Sequence, residues 1–177
     1  MKEMILLVLG FVLVNNIALT QFLGFTPLLG FARRGEKILV LGLCVTCVTV
    51  IEAVVLWLLR AVLPGYWQVL AAALLALALV YLLQLILGRK LGTWLPVIAL
   101  NSVVLGLALR TITAEDILTV ILSALGAGLG FLFGLFLLSG LQDRIHEEKL
   151  LKAFRGLPIQ ILAAAIVALA LTAFNFQ

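Results

Sequence analysis

The sequence predicts an all-α integral membrane protein: six transmembrane helices in two inverted three-helix repeats, with the first and fourth spans broken. Three observations lead there. Hydrophobic residues make up 65% of the 177 residues and charged residues 11%, against roughly 45–50% and about 25% in an ordinary soluble domain. Apolar runs of the size a bilayer core needs, about 20 residues of helix, recur six times along the chain. The first and fourth of those runs carry polar interruptions at corresponding places. A soluble core this small could not hide so much apolar surface, which leaves almost no material for a water-soluble active site. Residues 1–177 therefore read as one transmembrane domain.

The first run, 4 to 23, contains Leu13-Val14-Asn15-Asn16-Ile17 and Thr20-Gln21, and Gly24-Phe25-Thr26-Pro27 follows it. That is too polar for a plain lipid-facing helix, and a cleaved signal peptide does not lead into such residues. The second run, 38 to 59, holds Glu52, the one acidic residue well inside a span, and Cys44 and Cys47 one helical turn apart. The third, 67 to 88, carries Gln84. The fourth, 93 to 109, reads Leu95-Pro96-Val97-Ile98-Ala99-Leu100-Asn101-Ser102, with Gly106 following. The fifth, 117 to 141, aligns Gly126, Gly130 and Gly134 on one helical face, with Gly128 between. Small residues so spaced let a second helix, of this chain or a partner, approach closely. The sixth is 157 to 176. Short polar or turn-forming separators divide the runs: 31 to 37, Pro64-Gly65, 88 to 92, 110 to 116 and 142 to 156.

Charge orients the bundle. With six spans, both termini share a side with the second and fourth loops, which hold Lys2, Arg60 and Arg110. The other side holds Arg33, Arg34, Lys37, Arg89, Lys90, Arg144, Lys149, Lys152 and Arg155. Nine against three places both termini outside the cytoplasm by the positive-inside rule. The basic residues form no stripe interleaved with aromatics, so no nucleic-acid partner is expected; the partner of the apolar surface is membrane lipid.

The second interrupted segment comes three spans after the first, so the halves, approximately 1–88 and 89–177, have opposite orientations and Asn16 matches Asn101. Interrupted segments in corresponding positions of two halves point to a site at the membrane midplane. Asn15, Asn16, Asn101, Glu52 and Gln84 are its candidates. The competing reading makes the asparagines hydrogen-bonding glue between helices. Glu52 likewise has two readings: a carboxyl facing a cavity or an ion path, or a side chain near a span end that reaches the interface or pairs with Arg60. Cys44 and Cys47 lack metal-ligand spacing and read as packing residues. His146, among Arg144, Glu147 and Glu148, reads as solvated surface.

The runs Leu13-Val14-Asn15-Asn16, Phe22-Leu23-Gly24-Phe25-Thr26-Pro27-Leu28-Leu29-Gly30 and Leu95-Pro96 through Asn101-Ser102-Val103-Val104-Leu105-Gly106 resemble the A-type membrane subunit of the Rnf electron-transport complex. So do Arg144-Ile145-His146 and Phe154-Arg155-Gly156-Leu157-Pro158-Ile159. The equivalent E-type subunit of the sodium-pumping NADH:quinone reductase is similar. The resemblance covers nearly the whole chain. It implies six helices in two inverted halves, a homologous partner subunit packed in the opposite orientation, and a bacterial or archaeal cytoplasmic (inner) membrane with both termini outside. It also implies a 2Fe-2S cluster held between the two subunits by two cysteines from each, in a complex that couples electron transfer to sodium or proton translocation. No catalytic residue or metal ligand of this chain's own is expected.

This sequence departs from the family where the cluster would be held. Thr26 and Ser102 stand at the two cysteine positions. Iron–sulfur clusters are held by thiolates, and a hydroxyl is a harder donor that keeps its proton, so no cofactor is expected from this chain. Gln84 stands where the family tends to have a glutamate, and Glu52 matches no family feature. Three functions fit: a subunit of an Rnf-like or Nqr-like ion-translocating oxidoreductase; a stand-alone ion or small-solute transporter using Asn16, Asn101, Thr26 and Ser102; or a structural membrane subunit.

Overall fold

Inside a bilayer an apolar run has one local way to satisfy its backbone polar groups, the α-helix, and these runs keep proline out of their helical interiors. The computed structural model describes residues 8–14, 16–21, 23–24, 38–87, 98, 101–145 and 151–172. Asn15, Thr26 and His146, with the segments 25–37 and 88–97, lie outside the described residues. All regular structure among the described residues is helical. In chain order the α-helices are α1 (Ile17–Thr20), α2 (Ile38–Leu59), α3 (Gln68–Leu87), α4 (Ser102–Thr111), α5 (Ile117–Gln142) and α6 (Leu157–Thr172). A π-helical turn, Gly10–Val14, precedes α1, and 3-10 turns at Gly65–Trp67 and Lys152–Phe154 lead into α3 and α6.

Three described stretches are long and apolar enough to cross a membrane: Ile38–Leu59, Gly65–Ile86 and Ile117–Gln142. The shorter apolar helices are Gly10–Thr20, Ser102–Thr111 and Leu157–Leu171. Both interrupted runs are broken as the sequence leads one to expect. Asn16 is non-helical between the π-turn and α1, and Asn101 is non-helical between helical Ile98 and α4.

The α2/α5 pair forms the centre of the molecule and makes its most extensive helix–helix contact. The two helices run antiparallel, because Gly42 meets Leu132 while Thr46, one turn on, meets Gly128, one turn back. A Cβ on Gly128 would stand 2.7 Å from Thr46 Cα, so glycine is what lets the backbones approach. Thr46 and Thr49 donate their hydroxyls to Gly42 O and Val45 O on their own helix, each at 2.7 Å. They thereby cross the apolar core without unpaired hydrogen-bonding groups. The core gathers Val45, Val48, Val103, Val104, Phe131 and Leu135 around this pair. α4 packs on α2, α3 packs on α2 and α4, and α6 packs on α5 and α1.

Burial separates central helices from peripheral ones. Of the most apolar stretch, 56% is buried in α2 and α5 but only 17% in the α3 segment. α3 shows the outside Leu74, Leu77, Leu85 and Ile86, and α6 shows Leu157, Ile166 and Leu169. Such apolar faces would be a liability in water and suit the acyl chains of a bilayer.

Candidate functional site at the paired helix breaks

A helix that starts inside a membrane leaves its first amide hydrogens without partners, and a polar side chain can take them there. Asn16 does this for α1. Its Oδ1 accepts from Ala18 N at 3.1 Å and Leu19 N at 3.2 Å. Its Nδ2 donates to Val12 O at 2.8 Å, across the break, and to Gly130 O of α5 at 2.9 Å. Asn101 does the same for α4, its Oδ1 accepting from Val103 N at 3.1 Å. The two share an extended backbone conformation, φ −65° and ψ 97° at Asn16, φ −75° and ψ 113° at Asn101. Both side chains are wholly buried. They differ in one respect: Asn101 Nδ2 has no hydrogen-bond partner.

The two broken segments meet. After α1 the chain turns back, Leu23 N donating to Ile17 O at 3.3 Å, and reaches Gly24 at φ +70°. Gly24 N–H donates to Ser102 Oγ at 2.6 Å. A Cβ on Gly24 would lie 2.5 Å from Asn101 Oδ1 and 3.2 Å from Phe131 Cε2. Positive φ and lack of space together demand glycine here. Asn16 thus rests on Gly130, while Gly24 lies against Asn101 and the neighbouring Phe131. Ser102 is tied to Gly24, two residues before Thr26 in the sequence.

Sequence reasoning named the two glycines that make this junction but gave them no part in the site. Gly24 was legible only as part of a motif. Gly130 was legible as one of a stripe of small residues, which the structure shows to serve helices of this same chain. Gly126 takes Phe11, Gly128 takes Thr46 and Gly130 takes Asn16.

The other candidates lie elsewhere. Glu52 is on α2, 0% exposed, and neither carboxylate oxygen has a hydrogen-bond partner. Leu56, one turn further on, packs with Ala72, Ala108 and Ile112, so this face of α2 turns toward α3 and α4. Arg60 is not a partner for Glu52. Its guanidinium lies 4.2 Å over the Trp57 ring and donates to Ile112 O at 3.1 Å and to Ala114 O. Trp57 Nε1 also donates to Ala114 O, at 2.8 Å. Gln84 is half-buried on peripheral α3. Cys44 is buried and Cys47 is exposed, and no group of three or more His, Cys, Asp or Glu among the described residues could hold a metal. A cleft of about 270 Å³ opens beside α4 and α5, its polar lining including Arg110, Thr111, Thr119 and Ser123.

Comparison with known proteins decides what these breaks belong to. A family model described as "Rnf-Nqr subunit, membrane protein" matches residues 4–177. The chain belongs to this family. Among its relatives is the A-type subunit of the ion-translocating oxidoreductase complex of Syntrophotalea carbinolica, 35% identical over 98% of this chain and 97% of the relative. The A-type subunit of the Na(+)-translocating ferredoxin:NAD(+) oxidoreductase complex of Acetobacterium woodii is 32% identical over 97% and 96%. Its counterpart in an ion-translocating oxidoreductase complex of Vibrio cholerae is 32% identical over 99% and 97%. As a member of the Rnf-Nqr family the chain is a multi-pass membrane protein, and its outward apolar faces on α3 and α6 are consistent with that.

Proposed function

We propose that this chain is the A-type membrane subunit of an Rnf-like complex that couples electron transfer to sodium or proton translocation. One observation carries the reading: relatives named as A-type subunits of such complexes align with it over almost the whole of both chains. Its site is the junction of the two broken spans, where Asn16 and Asn101 hold helix ends open at membrane depth. The matching caps support two inverted halves, 1–88 and 89–177, within a six-span bundle. The lysine and arginine distribution supports both termini outside the cytoplasmic membrane. The partners are a homologous subunit in the opposite orientation and the other subunits of the complex.

A shared 2Fe-2S cluster does not fit this chain's side of that pair. The donors available are hydroxyls rather than thiolates, and Ser102 Oγ already accepts from Gly24 N–H at 2.6 Å. Cys44 and Cys47 lie on α2, away from both motif positions in sequence. The chain therefore contributes scaffold and ion path, with Asn16, Asn101 and Glu52 as its buried polar groups, and no cluster ligand.

Affinity purification from native membranes through a tag on this chain tests the reading. The expected eluate contains a homologous membrane subunit and flavin- or iron-bearing subunits. A chain that purifies alone, and moves an ion or solute alone in vesicles, would replace the reading with that of a stand-alone transporter.

A further inference from the structure

We infer that the cleft beside α4 and α5 binds the phosphodiester of a membrane phospholipid, with the Arg110 guanidinium and the hydroxyls of Thr119 and Ser123 as its donors. The inference is separate from any role in a complex and needs only that the chain lies in a membrane. Ser123 is the residue that asks for a ligand. In an apolar helix a hydroxyl can donate to a carbonyl of the preceding turn, and Thr46, Thr49 and Thr111 all do so. Ser123 is 4% exposed, lines the cleft, and makes no hydrogen bond among the described residues. A buried hydroxyl left unpaired costs free energy, so a group that enters the cleft gains by reaching it. Thr119, one turn nearer the start of α5, lines the same cleft with a second hydroxyl.

Charge selects the group. Among the described residues that line the cleft, Arg110, in the last turn of α4, is the one that carries a charge. Its guanidinium donates to Gln21 Oε1 at 3.4 Å, which occupies one donor of a planar fork suited to phosphate. A basic residue at a helix C-terminus can serve the last carbonyls, but Arg60 fills that role here, donating to Ile112 O at 3.1 Å and to Ala114 O. Thr111 has its hydroxyl hydrogen committed to Leu107 O and Ala108 O, at 3.0 and 3.2 Å. The cleft therefore offers an anion one cation and two hydroxyl donors, and its described lining offers a cation no carboxylate.

Position selects the source. Arg110 lies at the end of α4 and Thr119 in the first turn of α5, so the cleft sits where two apolar helices end, the level at which a bilayer carries its head groups. Basic pockets between transmembrane helices bind such head groups. Phe11 and Leu107 give the cleft an apolar wall. Ile117 and Leu118, next to Thr119 in the chain, are 40% and 46% exposed and offer acyl chains a surface. Glu115 and Asp116 are exposed in the same loop, and two carboxylates repel a dianion more than a monoanion, which favours a diester over free phosphate. The volume, about 270 Å³, is near the small end of ligand pockets, roughly 300–1,000 Å³, and suits a head group rather than a whole lipid.

Native mass spectrometry of the full chain, delipidated in detergent and titrated with phosphatidylglycerol, tests this. The wild type is expected to hold one phosphatidylglycerol and to bind neither diacylglycerol, which lacks the phosphate, nor inorganic phosphate, which lacks the chains. Ser123→Ala, which removes a single hydroxyl, and Arg110→Gln should each weaken that binding by roughly tenfold or more, the scale of a hydrogen bond to a charged group. Thr113→Ala, in the same loop but outside the cleft lining, should leave it unchanged. Wild-type affinity in S123A overturns the inference, because lipid that merely coats the chain does not sense a hydroxyl inside the cleft. Wild-type affinity in R110Q overturns it as well, since the phosphate then has no cation. Two results on the wild type alone also overturn it: diacylglycerol bound as tightly as phosphatidylglycerol marks an apolar groove, and inorganic phosphate bound as tightly marks a site for free anions.

Discussion

Asn16 and Asn101 each cap the helix that follows a break yet carry unequal loads, and the difference is measurable. Asn16 uses both amide hydrogens and accepts two backbone hydrogen bonds, whereas Asn101 accepts one and leaves Nδ2 unused. Losing an N-cap costs about 1 kcal/mol, and each buried bond between membrane helices adds on the order of 0.6 kcal/mol. Asn16→Ala should therefore destabilise the bundle by roughly 2 kcal/mol and Asn101→Ala by about 1 kcal/mol, as read by unfolding in mixed detergent. Aspartate sharpens the contrast. Asn16→Asp turns a carboxylate oxygen toward Val12 O and Gly130 O, while Asn101→Asp keeps its cap and displaces no donor bond. Equal losses for the two aspartate variants would show that the two breaks bear the same load. The sequence revealed the asparagines because a polar pair inside an apolar run has few structural uses. It did not reveal which carbonyl each amide reaches, since Gly130 lies 114 residues from Asn16 and only the folded bundle brings them together.

At the scale of elements, the long uninterrupted helices were legible nearly to the residue. The runs 38 to 59 and 117 to 141 correspond to Ile38–Leu59 and Ile117–Gln142, because they carry no proline and because Thr46 and Thr49 bond back to carbonyls of their own helix. Their partners were not legible, because apolarity all round a helix does not say which side faces protein. The glycines settle it for α2 and α5. Gly128→Ala forces a methyl to within 2.7 Å of Thr46 Cα, and overpacking of that kind costs about 1–3 kcal/mol. Gly140→Ala meets nothing within 4 Å and should gain up to about 1 kcal/mol from helix propensity. Thermal melts of the two variants in detergent should move in opposite directions. A Gly128→Ala protein as stable as the wild type would mean that α2 and α5 do not pack as described.

For the whole molecule, orientation and redox role are the consequences that matter. Nine of the twelve lysines and arginines fall on one side of the six-span reading, so a reporter fused at Gln177 should report from outside the cytoplasm and one at Lys149 from inside. The reverse pattern would remove the A-type orientation. Family membership could be read from motifs spread along nearly the whole chain, and the match over residues 4–177 bears it out. The proposed absence of a cluster ligand rests on two residues. Ser102 is engaged with Gly24 N–H, and Thr26 lies outside the described residues. On the proposed reading, a redox complex built on this chain carries electrons past it without its thiolates. Electron paramagnetic resonance of the purified membrane complex, with the clusters of its soluble subunits removed, tests that most directly. No two-iron signal is expected from the membrane part; a two-iron signal that disappears in Ser102→Ala would contradict the absence of a cluster ligand here.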